Sequence, residues 1–581
     1  MSFRPHRLRL TSVLAVSVAA TLLLPSTQAT AAPGDLDLGF NGLGYVVTNV
    51  GTVDQAYDVA VDSNDKVVVA GFAYSNGSGS REFAVVRYND DGSLDDTFGA
   101  GGKVMTDIGG AGLDDTVNAV AIQPNDKIVV AGTTAVDAVT PAGTADFAVA
   151  RYDAGGTLDP AFGGGDGYVT IDFGGDDSGS GIAIDLNGDI AIAGSSHTAG
   201  SDFAVAKLDS SGSLDSSFDG DGLVTTDING GGDAAAAAVF DSDHRIVAVG
   251  AGAGASNRDF ALARYDTDGG LDGSFDGDGM VSTNGTDRAR AVVIDGSGDI
   301  VVAGSYFNIQ TRNTDFGLAR YSSNGSLDLS FGPDGTGKLN VPMRDGGQAE
   351  GLALDSAGHI LAGGFASNGS DRDFALARFE SDGTLSTTFG TGGKAFTNMG
   401  TNDSGRGVAV DSAERIVMGG YTNMGDNADF AAVRYASEGY RPDGLVKRAS
   451  VAAYSGDDVY NSTGNGQTVL TKTKRGRLAT FQLKVQNDGT GSDDVTVDGC
   501  ASSKGFVVTY ANGVNDVTAD VTAGTYAVTG LAPGQEETLT MSIKVARSVL
   551  IGKIKGCPVS TTSQTSPTEE DVVLAKVKTV A

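Results

Sequence analysis

The chain has 581 residues, with 73 acidic and 40 basic side chains, 86 glycines, 12 prolines, two cysteines and no tryptophan. At 40% hydrophobic content this excludes a collagen-like chain, a disordered tail and a disulfide-rich miniprotein, while the length exceeds what one compact core holds. A formal charge of -33 argues against nucleic acid or an anionic membrane as partner, because neutralising phosphates takes lysine and arginine.

The first 34 residues contain no acid, carry Arg4, Arg7 and Arg9, and then run from Val13 to Leu24 through apolar and small residues. This predicts a secretory signal peptide over residues 1–31, cleaved after Ala31. No later segment is long and apolar enough to anchor the chain in a bilayer, so a secreted or cell-envelope-associated protein is expected.

From there the sequence repeats. The phrase DFALARY at Asp259 to Tyr265 has counterparts starting at Glu82, Asp146, Asp202, Asp315, Asp373 and Asp429. A second phrase of the type SLDDTFGAGGKVMTDI recurs with its phenylalanine at Phe40, Phe98, Phe162, Phe218, Phe275, Phe331 and Phe389, spaced by 58, 64, 56, 57, 56 and 58 residues. Each period holds four short apolar segments separated by Asp, Gly, Asn and Ser clusters. In the second unit these are 117–123, 127–133, 146–152 and 168–173, the first two joined by a tight polar link at Pro124 to Asp126. Four antiparallel strands per period, repeated radially, predict an all-β, seven-bladed β-propeller over residues 32–437. The array enters with a lone fourth segment, Tyr45 to Val50, and leaves after three, so closure of the last blade by the N-terminal strand is expected.

The phrases FALARY, LDxxFGxGGKV and AVAIQPxxKIVVAG resemble the bacterial delta-60 repeat family over about residues 35 to 437. The resemblance implies a propeller-like extracellular repeat protein and brings no catalytic residues with it. The copies depart from the pattern at Ser386, where others have Asp, and at Leu208, where most have Tyr or Phe.

Recurring residues read first as architecture. Glycines at 71, 132, 194, 250, 304, 364 and 420 are expected to allow close approach where sheets converge. The basic set Arg87, Arg151, Lys207, Arg264, Arg320, Arg378 and Arg434 is expected to tie blades together with the acids at Glu82, Asp146 and their equivalents, in preference to forming an anion-binding ring. The FDGDG loops place Asp219 with Asp221, and Asp276 with Asp278, as calcium candidates, but they lack the further acids of an EF-hand and turn chemistry is the preferred reading. Asp185 to Ile190 is read the same way. No other cofactor is expected. His197, His244 and His359 show no metal-ligand spacing, there is no nucleophile elbow or phosphate loop, and no departure from the sevenfold pattern marks an active site at the propeller mouth.

Past Tyr435 the repeat stops. Residues 438–450 are expected to be a linker and 451–581 a β-sandwich, from period-two alternation over segments such as 478–489, 505–513 and 525–545. Net charge is -37 over residues 35–440 and +1 over 441–581, so the acidity belongs to the repeats. The runs VQNDG and LAPGQEETLTMSIKV resemble the immunoglobulin-like modules appended to exported bacterial proteins. Cys500 and Cys557 both fall here; a disulfide and two free thiols are the alternatives, the bridge being favoured by an oxidising compartment. The expectation is an exported, monomeric, non-enzymatic binding or scaffold protein for an extracellular or cell-envelope protein or polysaccharide. The alternative is an extracellular lyase or hydrolase working at the central propeller mouth.

Overall fold

The computed structural model describes residues 33–581 apart from 76–78, 111, 137–143, 198–199, 254–257, 284–287, 424–426, 437–441, 452–453, 455–466, 488–492, 533–534 and 565–569. The expected signal peptide lies outside the described residues.

The repeats fold as a propeller-like succession of four-stranded antiparallel sheets, seven among the described residues. The sheet of the second unit joins Asp115–Ile122, Ile128–Ala135, Ala145–Tyr152 and Tyr168–Ile171 in sequence order, with Asp126 at the hairpin tip in the left-handed region (φ 61°). Apolar residues on both faces of each third strand reflect packing on two neighbours. Phe83 and Val85 enter one core with Val117 and Val130 of the following sheet, while Ala84, Val86 and Tyr88 enter another with Val46 and Phe430 of the preceding one. The first strand of every sheet touches the first strands of the sheets before and after, and Asp54–Val61 packs on Thr401–Val410, so the succession returns on itself.

One sheet draws on both ends of the array. Tyr45–Thr48 pairs antiparallel with Ala428–Tyr435, Tyr45 opposite Val433 and Thr48 opposite Phe430. Arg434 Nε donates to Asp37 Oδ2 at 2.7 Å, and the Asp37 amide donates to the Arg434 carbonyl at 2.9 Å.

Residues 442–580 form two five-stranded sheets around a core that includes Phe481, Leu539, Met541, Val497 and Val577. Part of the stretch expected as a linker is a strand: Pro442–Arg448 pairs antiparallel with Leu478–Asn487, because Leu445 and Val446 bury their side chains and the Gly444 amide donates to the buried Asp571 carboxylate at 2.9 Å. Cys500 and Cys557 are disulfide-bonded, with Cα atoms 5.2 Å apart. Among the described residues no helix is long and apolar enough to cross a membrane.

Candidate functional site: the central cavity

The first strand of every sheet carries a β-bulge at the same place. Register slips by one residue between Ala56 and Asp58, between Val117 and Ala119, and at the five equivalent points, leaving Tyr57, Asn118, Ser180, Ala236, Arg290, Glu350 and Arg406 as the extra residues. A bulge re-aims a side chain, and these seven residues line one cavity of about 330 Å³.

The recurrent glycines explain the bulges. A Cβ on Gly132 would lie 1.9 Å from the Thr116 carbonyl oxygen, and one on Gly304 would lie 1.8 Å from that of Arg288. The tight approach is therefore inside each sheet, against the carbonyl that precedes the bulge pair, and not where sheets converge as expected. Any side chain there would push the first strand away and lose the bulge.

The seven positions are structurally equivalent but chemically different. Arg406 Nη1 donates to Glu350 Oε1 at 3.0 Å, and Arg290 Nε lies 3.7 Å from Glu350 Oε2. The Arg406 guanidinium carbon sits 5.4 Å from the centre of the Tyr57 ring, within cation–π range. The Nε atoms of both arginines are buried without a hydrogen-bond acceptor among the described residues, that of Arg290 lying at ion-pair distance from Glu350. Asn118 turns its amide onto the Gly179 carbonyl at 2.7 Å. With Ser178 and Ser180 the wall offers hydroxyl, amide and phenol groups around one carboxylate and two guanidiniums. This local excess of positive charge stands inside repeats whose net charge is -37.

Next to the bulge, where the other sheets carry Ala119, Gly181, Ala237, Ala291, Gly351 and Gly407, the first has Asp58. Its carboxylate accepts the Val59 amide at 2.8 Å and, across the sheet boundary, the Val120 amide at 2.9 Å. Burial pushes its pKa up to about 7, the two amides only partly offsetting the loss of water. Burial also raises the Tyr57 phenol. A departure from sevenfold symmetry is therefore present at the mouth, contrary to the expectation. The bulge residues escaped the repeat phrases because each lies just before the first-strand phrase, as Asn118 does before AVAIQP at Ala119.

The recurrent basic set does not pair with Glu82, Asp146 and their equivalents among the described residues. Arg87 Nε donates to Asp95 Oδ2 at 2.8 Å, its guanidinium stacks 4.5 Å from the Phe98 ring centre, and its Nη2 donates to the Ala154 carbonyl of the next sheet at 2.7 Å. Arg151, Arg264, Arg320 and Arg434 repeat this with Asp159, Asp272, Asp328 and Asp37. At Ser386 the missing carboxylate is replaced by hydroxyls, Arg378 donating to Ser386 Oγ and Thr388 Oγ1 at 2.9 Å each. The set does join neighbouring sheets, through carbonyls.

Of the calcium candidates, Asp219 (φ 49°) donates its amide to the Asp268 carbonyl at 2.7 Å and Asp276 (φ 51°) donates to that of Asn324 at 2.8 Å. Asp221 Oδ1 and Asp278 Oδ1 each accept a main-chain amide two residues on, at 3.0 Å. The acids that do converge are others: Asp146, Asp172 and Asp177, and Asp202, Asp227 and Asp233, with ligand oxygens within 4.8 Å of one another in each group. Asp185 accepts His244 Nδ1 at 2.8 Å, and His359 Nδ1 meets Asp355 Oδ2 at 2.7 Å, which raises the His359 pKa.

A match to a family model agrees with the repeat architecture. The family model described as "Domain of unknown function (DUF5122) beta-propeller" matches residues 63–98, 123–162, 187–218, 242–275, 296–331 and 358–389. Among solved structures, the chain is similar to an alpha-L-arabinanase of Penicillium chrysogenum, at 10% identity and TM-score 0.36 over 67% of this chain and 98% of that one. It is also similar to the polysaccharide lyase Uly1 (10%, 0.34, 67% and 90%). A third is the beta-propeller domain of the Trilobed protease from Pyrococcus furiosus (10%, 0.34, 64% and 91%). None of these likenesses extends to activity. No curated protein matches the chain.

Proposed function

We propose that the chain is an exported binding protein whose repeats form a closed seven-bladed propeller of delta-60-like units, carried with an immunoglobulin-like sandwich, and whose central cavity takes a small, hydroxyl-rich carboxylate such as a sugar acid. One observation carries this reading: the ring of bulge residues sets two guanidiniums, Arg290 and Arg406, against the single carboxylate of Glu350 in a wall of hydroxyl and amide groups. Guanidinium forks match a carboxylate in two-point geometry, and convergent neutral polar groups read hydroxyls. A cavity of about 330 Å³ suits one or two sugar rings. The acidic exterior disfavours adventitious anions and leaves the cavity as the place for a negatively charged group.

The reading is tested by calorimetric titration of the full chain with glucuronate and with its neutral counterpart, glucose. Saturable binding of glucuronate, lost in Arg406→Gln and absent for glucose, is the expected result. Equal binding of both, or of neither, would overturn it.

A second reading, an extracellular lyase or hydrolase, is favoured by Asp58, a cavity carboxyl with its pKa near neutrality as a general base or acid requires. It predicts turnover of uronate-containing oligosaccharides that Asp58→Asn abolishes while leaving binding in place.

A further inference from the structure

We infer that the chain binds one calcium ion between the second and third sheets, held by Asp146, Asp172 and Asp177. The inference is independent of the central cavity. Asp146 is the second residue of a third strand, Ala145–Tyr152, Asp172 follows Tyr168–Ile171 of the same sheet, and Asp177 opens the first strand of the next, so an ion there would join the two sheets.

Three lines of evidence meet at this point. The ligand oxygens of the three carboxylates lie within 4.8 Å of one another. Asp177 is 1% exposed and spends Oδ2 on the Phe173 amide at 2.7 Å, but its Oδ1 has no hydrogen-bond partner among the described residues. The Ser196 hydroxyl, opposite Asp177 in the ladder and equally buried, is also without one. Finally, two equivalent positions elsewhere in the chain carry an amide in place of the carboxylate. Where Asp172 stands, two other units have Asn49 and Asn398, whose amides donate to Asp429 at 2.9 Å and Asp373 at 2.8 Å. Thr134 Oγ1 likewise satisfies Asp115 Oδ1 at 2.6 Å. Replacing the amide by a carboxylate turns a donor into a third negative charge, and among the described residues no lysine or arginine pairs with any of the three acids. A hard divalent cation resolves all of this, and a set of three carboxylates suits calcium, which takes six to eight oxygens in flexible geometry, over magnesium, which keeps a strict octahedron and binds through one or two carboxylates.

The next sheet boundary is an internal comparison. Asp202, Asp227 and Asp233 converge in the same way, yet Asp233 has both oxygens committed, to the Ile228 and Ala253 amides at 2.7 Å each.

The test is calorimetric titration of the full chain with calcium chloride at fixed ionic strength, with magnesium chloride as control, followed by thermal unfolding. Wild type is expected to bind calcium saturably and in preference to magnesium. Asp172→Asn, which restores the amide found at Asn49 and Asn398, is expected to weaken that binding by at least the roughly 10–100-fold that even an outer-shell loss costs, and to raise the calcium-free melting temperature. Asp172→Ser serves if the first variant does not fold. Asp219→Ala with Asp221→Ala, and separately Asp227→Asn, should leave the site in place. Absence of calcium uptake beyond magnesium in wild type, or unchanged calcium affinity in the Asp172 variants, overturns the inference.

Discussion

The Tyr88 hydroxyl donates to Thr48 Oγ1 at 2.8 Å, joining a third strand to the fourth strand of the sheet before it. The same pair recurs as Tyr152 with Thr106, Tyr265 with Thr226, Tyr321 with Thr283 and Tyr435 with Thr397. In the two remaining units both partners are apolar, Leu208 with Ile171 and Phe379 with Val341, each pair within one buried core. The departure at Leu208 is thus matched by its partner: a buried hydroxyl is kept only where its acceptor is kept.

This pairing predicts a thermodynamic cycle. Tyr88→Phe and Thr48→Val should each cost about 1–2 kcal/mol, since either leaves a buried hydroxyl unsatisfied. The double variant, which copies Phe379 with Val341, should recover most of that loss. Denaturant unfolding of the four proteins measures the coupling; strict additivity would contradict the pairing.

Gly132→Ala should cost about 1–3 kcal/mol or more, because its Cβ would meet the Thr116 carbonyl and shift the strand that carries Asn118 into the cavity. Gly273→Ala, with nothing within 4 Å of the added carbon, should change little. Comparing the two melting temperatures checks this.

Asp58 makes stability pH-dependent in a stated sense. Its folded pKa of about 7 lies above the ordinary aspartate value of 3.8 that holds in the unfolded chain, so between them the folded state holds a proton that the unfolded state has lost. Its contribution is fully present below pH 4 and declines as pH rises toward 7, by up to about 1.4 kcal/mol per pH unit. Asp146, raised to about 6, acts in the same direction. Asp58→Asn should flatten the slope of unfolding free energy against pH in this window; an unchanged slope would exclude Asp58 as its source.

Deleting residues 32–52 removes the strand paired with Ala428–Tyr435 and the Asp37 partner of Arg434. The variant should aggregate or lose its cooperative melting transition, because the edge of Ala428–Tyr435 is left unpaired and the buried Arg434 guanidinium keeps only its Asp90 contacts. Light scattering and calorimetry distinguish this from a tolerated truncation.

Replacing Cys500 and Cys557 together by serine should lower stability by about 4 kcal/mol, the chain-entropy value for opening a loop with a sequence separation of 57 residues. Denaturant unfolding with and without reductant checks the figure.

The repeat was legible in the sequence because each unit must bury the same two faces against the same two neighbours, so Phe98, Arg87 and Gly132 return with every period. Strand count and the shared sheet of the two termini followed from that periodicity alone. What only the tertiary structure decided were relations across periods. The partner of Arg87 is Asp95 and the Ala154 carbonyl, not the acid that opens its own strand, because strand alternation and the turn after Tyr88 bring Asp95 back beneath the guanidinium. Residues 442–448, short and charged at both ends, looked like a connector until the opposing strand 478–487 supplied their ladder. The cavity was hidden for a sharper reason. Tyr57, Arg290, Glu350 and Arg406 occupy a bulge, where one extra residue leaves the period-two pattern, and their meeting depends on seven strands converging from positions nearly 350 residues apart in the chain. Repetition tells which columns build the scaffold; only convergence in space tells which variable column faces the same point.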